Sequence, residues 1–175
     1  MEEENEQISV KDVAVKWGLI LGIISIVLFL AIYFGGLMGE SWPSWISAVI
    51  SAGIIYMAHK EFKEQGDGYM SYGKGLGIGT FTSAISAAVS SIFAYVYMKY
   101  INTDYTTELV DITRYQMENQ GQSDEQIEMA MGMVEKFMTP EAMLGMGLVA
   151  GIFFGFIISL IISAISKNSD PSLEL

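Results

Sequence analysis

AMLGMGLVAGIFFGFIISLIISAI, from Ala142 to Ile165, runs for 24 residues without a charged side chain. A helix rises 1.5 Å per residue, and about 20 apolar residues cross the hydrocarbon core of a bilayer. Three further uncharged runs meet that length: Trp17 to Met38, Gly75 to Met98 and, at the short limit with 17 residues, Trp42 to Ala58. Helices buried in water-soluble domains rarely go so far without a charge, so all four runs are read as transmembrane helices.

Composition agrees. Of 175 residues, 51% are hydrophobic and only 17% charged, with a mean hydropathy of +0.40. A soluble domain carries roughly 25% charged residues, and a disordered chain has too few apolar ones to match. With no cysteine and one histidine, disulfides, thiolate metal sites, cysteine nucleophiles and histidine-rich metal centres are excluded. The first run exceeds the roughly 7–15 apolar residues of a secretory signal and follows an acidic leader, MEEENEQISVKDVAVK. An uncleaved first span is expected.

Boundary residues fit these runs. Ser9-Val10-Lys11-Asp12 resembles a capping box, which starts the first helix inside the leader. Ser41 precedes Trp42-Pro43, and Thr139 precedes Pro140-Glu141. In both places a hydroxyl cap stands before a proline at a helix start.

The connecting segments set an orientation. Lys11, Lys16, Lys60, Lys63, Lys74 and Lys167 fall on one side of the membrane, and Lys99, Arg114 and Lys136 on the other. Lysine and arginine concentrate on the cytoplasmic side. Both termini and the segment 59–74 are therefore expected in the cytoplasm. Trp42, Trp45, Tyr95, Tyr97 and Tyr100 then belong to the outer aromatic belt, and Trp17 to the inner one.

Between the third and fourth spans, residues 99–139 carry eight acidic and three basic side chains. Tyr105, Leu109 and Ile112 recur at helical spacing before the turn signal Asn119-Gln120-Gly121-Gln122. Ser123-x-x-Gln126 is a second capping box, and Ile127, Met131, Val134 and Met138 follow at helical spacing. The pattern predicts an acidic extracytoplasmic helical hairpin. Helices of about 15 residues are marginal alone, so each must lean on the other, on the membrane or on a partner.

Two ladders of small residues stand out. Gly75, Gly79, Ser83, Ala87 and Ser91 lie every fourth residue in the third span, as do Gly147, Gly151, Gly155, Ser159 and Ser163 in the fourth. Apolar helices gain little by burying greasy surface inside lipid, so close backbone approach through small residues drives their contact. Both ladders are expected to be helix-packing faces, against each other or against a second copy. The first span has only Gly18 and Gly22.

Candidate chemistry is thin. Gly68-Tyr-Met-Ser-Tyr-Gly73-Lys74-Gly75 approaches a phosphate-binding loop but lacks the final Ser/Thr and a preceding strand. Lys60, Lys63 and Lys74 form a basic cytoplasmic set of the kind that meets lipid phosphates. Met129, Met131 and Met133 suggest copper(I) thioethers, yet residues two apart on a helix face different ways; adaptable apolar packing is the better account. His59 is read as an interfacial histidine at the end of the second span. No ionisable group sits inside any of the four runs, where carriers normally keep one. The third span does hold a hydroxyl run: Thr80, Thr82, Ser83, Ser86, Ser90 and Ser91. No catalytic, metal or cofactor site is expected, and no nucleic-acid partner.

The glycine-rich start of the third span, its aromatic exit Phe93-Ala-Tyr-Val-Tyr-Met-Lys-Tyr-Ile101, the acidic insert with Gly121-Gln-Ser-Asp-Glu-Gln-Ile-Glu128 and the final Ile-Ser-Lys-Asn resemble a bacterial domain-of-unknown-function family of four-span inner-membrane proteins. The resemblance covers Lys11 to Lys167. It implies no activity and no catalytic residues; a setting beside membrane glycosyltransferases implies an accessory role.

The sequence thus reads as an all-α polytopic inner-membrane protein. Its parts are a leader 1–16, spans 17–38, 42–58, 75–98 and 142–165, a cytoplasmic loop 59–74, an outer hairpin 99–139 and a tail 166–175. The expected function is a non-enzymatic interaction or scaffold subunit, with the bilayer and either a second copy or another membrane protein as partners. A small-solute or lipid carrier using the hydroxyl run, or an accessory subunit of a membrane glycosyltransferase, are the alternatives.

Overall fold

The computed structural model describes residues 9–168. The acidic stretch before Ser9 and the tail beyond Asn168 lie outside them. Six α-helices make up the described chain: α1 (Val10–Phe34), α2 (Trp42–Gln65), α3 (Tyr72–Val96), α4 (Tyr105–Asn119), α5 (Asp124–Phe137) and α6 (Pro140–Ser166). A single turn of π-helix, Tyr97–Ile101, extends α3. No strand occurs among the described residues; Met70 and Asn168 form one isolated antiparallel bridge.

Local chemistry explains four of the six helix starts; Ser41, expected to cap α2, makes no side-chain cap bond, and that helix starts on Trp42-Pro43 alone. Ser9 caps α1 by accepting from the Lys11 amide, Ser71 caps α3 by accepting from Lys74, and Thr139 caps α6 by accepting from Ala142. Ser123 and Gln126 form a reciprocal box at the head of α5. The first helix ends at Phe34, short of Met38, because the chain turns at Gly35-Gly36, and Gly36 takes a left-handed φ of 65°.

Among the described residues three helices are long and apolar enough to cross a membrane: α1, α3 with its π turn, and α6. The second helix differs in balance. Its uncharged run stops at Ala58, and His59-Lys-Glu-Phe-Lys-Glu-Gln65 completes the helix.

Helix α3 is the centre of the bundle. It runs parallel to α1 on one side, with Gly18 against Ile85 and Gly22 against Val89, and antiparallel to α6 on another. Helix α2 runs back between the ends of α1 and α3, bringing Glu61 to Trp17 and His59 to Gly75. One end of the bundle therefore gathers the starts of α1 and α3 with the ends of α2 and α6. The other end gathers Tyr33, Tyr97 and Tyr105 around Phe29, and α4 docks there through Tyr105 and Leu109. Helix α5 leans on α4 with Ile127 and Met131 buried, while Met129, Met133 and Phe137 are exposed.

Candidate functional site

The helix-packing candidates fall on one seam between α3 and α6. Gly75 faces Ser163, Gly79 faces Ser159, Ser83 faces Gly155, Ala87 faces Gly151, and Ser91 faces Gly147. Each step of four up α3 is matched by a step of four down α6, so all ten residues meet as five rungs within one chain. Every rung pairs a glycine with a serine or alanine. On the first two rungs the glycine belongs to α3, and on the last three to α6.

That complementarity sets the distance between the helices. A Cβ placed on Gly151 would lie 2.6 Å from the Ala87 Cβ, and one on Gly147 2.7 Å from the Ser91 hydroxyl. A Cβ on Gly155 would overlap the Ser83 side chain. Glycine thus permits backbone approach that no other residue allows. Two of the seam hydroxyls are satisfied along their own helices, while Ser163 Oγ on the first rung is buried without a partner. Ser83 Oγ donates to Gly79 O at 2.9 Å, and Ser159 Oγ donates to Gly155 O at 2.7 Å. These two serines and two glycines form a near-symmetric quartet at the second and third rungs.

The hydroxyl run of α3 is distributed rather than collected. Ser83 belongs to the seam, Ser90 donates to Ser86 O at 2.8 Å, and Ser86 and Ser91 are buried between helices. Thr80 and Thr82 have hydroxyls without a protein partner. Among the described residues, cavities lie beside Val10, Ala14, Phe81 and Ile85 and between Thr106 and Met138, away from this run.

The basic set of the 59–74 segment is likewise dispersed. Lys60 pairs with Glu64, Lys63 donates to Ser166 O at 3.0 Å, and the Lys74 ammonium lies 5.8 Å from the centre of the Phe62 ring. The glycine-rich approach to α3 is a turn and a helix cap: Gly68 is left-handed at φ 82°, and Ser71 receives the Lys74 amide. Met131 is buried while Met129 and Met133 are exposed, so the three thioethers do not converge.

His59 departs from its sequence reading. It is fully buried, at 0% exposure, where the end of α2 meets the start of α3 and the end of α6. Nε2 lies 2.8 Å from Gly75 O and Nδ1 lies 2.6 Å from Ser166 Oγ. Gly75 and Ser166 are 16 and 107 residues away in sequence, so only the assembled bundle brings them together. Burial pushes the imidazole below its usual range; the bond to Gly75 O works the other way, and the Lys63 charge adds to the lowering. Lys16 and Trp17 of α1 converge on Glu61 Oε2, at 2.7 and 2.9 Å, on the neighbouring side of α2. Met70 and Asn168 exchange backbone hydrogen bonds of 2.8 and 3.0 Å beneath this junction.

Long apolar helices joined by a glycine seam define a helical membrane protein. Residues 16–168 match the family described as protein of unknown function (DUF4199), and the chain belongs to that family. No curated protein and no solved structure matches it.

Proposed function

We propose that the chain is a four-span protein of the bacterial inner membrane with both termini in the cytoplasm and α4–α5 as an outer hairpin, acting as a non-enzymatic interaction or accessory subunit. The parallel run of α1 and α3 supports the fourth span. Two parallel helices in contact require the chain to return from one end of the bundle to the other, and α2 makes that return. The six lysines Lys11, Lys16, Lys60, Lys63, Lys74 and Lys167 sit toward the end that holds His59, which favours that end as cytoplasmic.

The observation that carries the functional reading is what the seam leaves over. The small-residue faces of α3 and α6 are occupied by each other, so they are not free for a partner. Apolar surface stays exposed along α1 and α6, on one face of α2, with Trp45, Val49 and Tyr56, and on α5, with Met129, Met133 and Phe137; the α2 and α5 faces are the ones proposed for a partner. Methionine on an exposed helix face suits an adaptable contact.

Cysteines replacing Met133 and Trp45, crosslinked in native membranes and resolved on blue-native gels, test this reading. The expected result is a specific adduct from at least one position and none from a cysteine at Gly151. A strictly monomeric chain with no adduct from either surface would overturn it. A reporter fused at Asp111 should report the side opposite to one fused at the N-terminus.

A further inference from the structure

The buried junction at His59 has a proton count that can be worked out from its geometry. Gly75 O can only accept, so Nε2 carries a hydrogen and donates it over 2.8 Å. In a neutral ring Nδ1 is then bare and must accept from the Ser166 hydroxyl over 2.6 Å. Ser166 Oγ also lies 2.7 Å from Ile162 O. One hydroxyl hydrogen cannot serve both contacts. With the neutral ring it goes to Nδ1, and the close approach to Ile162 O holds no hydrogen.

A second ring proton removes that conflict. Nδ1–H then donates to Ser166 Oγ, the hydroxyl turns to Ile162 O, and all three short contacts hold one hydrogen each. The hydrogen-bonding groups around the ring can therefore accept an imidazolium without moving a heavy atom. Charge is what opposes it. The ring is wholly buried, and a bare charge in such a place is costly unless it is paired.

No carboxylate among the described residues touches the ring. On α2, Lys63 lies on the same residue, Ser166, that the ring binds; Lys60 is paired with Glu64, and Glu61 is held by Lys16 and Trp17. From α3 come Lys74, placed over Phe62, and the Tyr72 hydroxyl, which lies 3.4 Å from Leu160 O. The α6 face contributes only Ser163 and Ser166, and Ser163 Oγ is buried without a partner. An imidazolium would thus share Ser166 with an ammonium. The less costly response is for Lys63 to leave Ser166 O. That contact helps fix the end of α6, two residues before the Met70–Asn168 clasp.

We propose that His59 is a proton-operated latch: neutral, it locks the ends of α2, α3 and α6 together, and on taking a solvent proton at Nδ1 it displaces Lys63 and loosens the Met70–Asn168 clasp. The ligand is a proton, and the output is the order of the bundle end where the chain leaves α6. The inference rests on the junction alone and stands apart from the reading of the exposed surfaces.

The chain has one histidine, so the full-length protein in lipid nanodiscs gives a single pair of ring nitrogen resonances to follow by 15N NMR from pH 8 to pH 5. The expected result is the Nε2–H tautomer at high pH and a titration midpoint below the ordinary value of about 6.5. Amide hydrogen-exchange protection at Met70 and Asn168, corrected for intrinsic rates, should fall at least tenfold through the same transition. In His59→Gln that protection should not change with pH, and in Lys63→Met the ring midpoint should rise. The Nδ1–H tautomer, a midpoint at or above 6.5, protection that ignores pH in the wild-type chain, or an unmoved midpoint in Lys63→Met would each overturn the latch. Should His59→Gln fail to fold, the wild-type titration and Lys63→Met still decide.

Discussion

Ala87 on α3 and Gly151 on α6 meet at the fourth rung of the seam, where a Cβ on the glycine would stand 2.6 Å from the alanine Cβ. The methyl group and the gap that receives it are a matched pair. Exchanging them should preserve the match. Gly151→Ala alone is expected to cost about 1–3 kcal/mol, the usual range for overpacking. Ala87→Gly added to it should recover most of the loss. A double-mutant cycle, read by unfolding in detergent, measures the coupling. Two additive losses would show that the rung is not a unit.

Gly53 on α2 is the control for this argument. A Cβ there meets nothing within 4 Å. Gly53→Ala should therefore be neutral or stabilising, by up to about 1 kcal/mol, because alanine is the better helix former. The same chemical change is predicted to have opposite signs at Gly151 and Gly53, and the same unfolding assay compares them. Equal effects at both positions would mean that helix propensity, not the seam, governs the response.

The sequence announces some of these features and hides others for physical reasons. Two ladders spaced by four are visible because a helix repeats every 3.6 residues, so one face is written into the spacing. Their complementarity was also present. Sliding α6 antiparallel along α3 places each glycine opposite a serine or alanine, but composition and periodicity do not prompt that alignment. Ile127 and Met131 were legible as the buried stripe of α5 for the same reason as the ladders. His59 was not legible, because its burial depends on where the end of α2 meets an α6 residue 107 positions later. The place of Gly18 and Gly22 was missed as well: they receive Ile85 and Val89, which belong to a face of α3 that carries no ladder.

Acid should destabilise the fold in a defined window. Burial holds the His59 ring below its ordinary range, while in the unfolded chain it titrates near 6.5. Below about pH 6.5 the unfolded chain therefore binds more protons than the folded one. Stability then rises with pH through that window, is present in full above it, and is lost as pH falls through the folded value. Unfolding midpoints measured in detergent between pH 8 and pH 5 should drop on the acid side. His59→Gln should flatten that slope; an unchanged slope would assign it to the carboxylates instead.

The opposite end of the bundle offers a test of how α4 is held. Phe29 packs against Phe93, Tyr97 and Tyr105 with ring centroids 6.3, 5.5 and 5.4 Å away. Tyr33 adds a polar link, accepting from Asn102 Nδ2 at 2.6 Å and lying 3.4 Å from Glu108 Oε1. Aromatic pairs contribute about 0.5–1.5 kcal/mol each beyond their buried area; a neutral hydrogen bond such as that from Asn102 contributes about 0.5–1.5 kcal/mol net, and the contact to Glu108, long and exposed, adds little. Phe29→Ala removes three such pairs, and Tyr33→Phe removes the hydroxyl but keeps the ring. Phe29→Ala should therefore release α4 and Tyr33→Phe should largely retain it. Trypsin cleavage at Arg114, which lies on α4, reads this directly in protein held in nanodiscs. Cleavage should accelerate strongly in Phe29→Ala and only slightly in Tyr33→Phe. The reverse order would place the anchor of α4 in the Tyr33 hydroxyl network rather than in the Phe29 ring cluster.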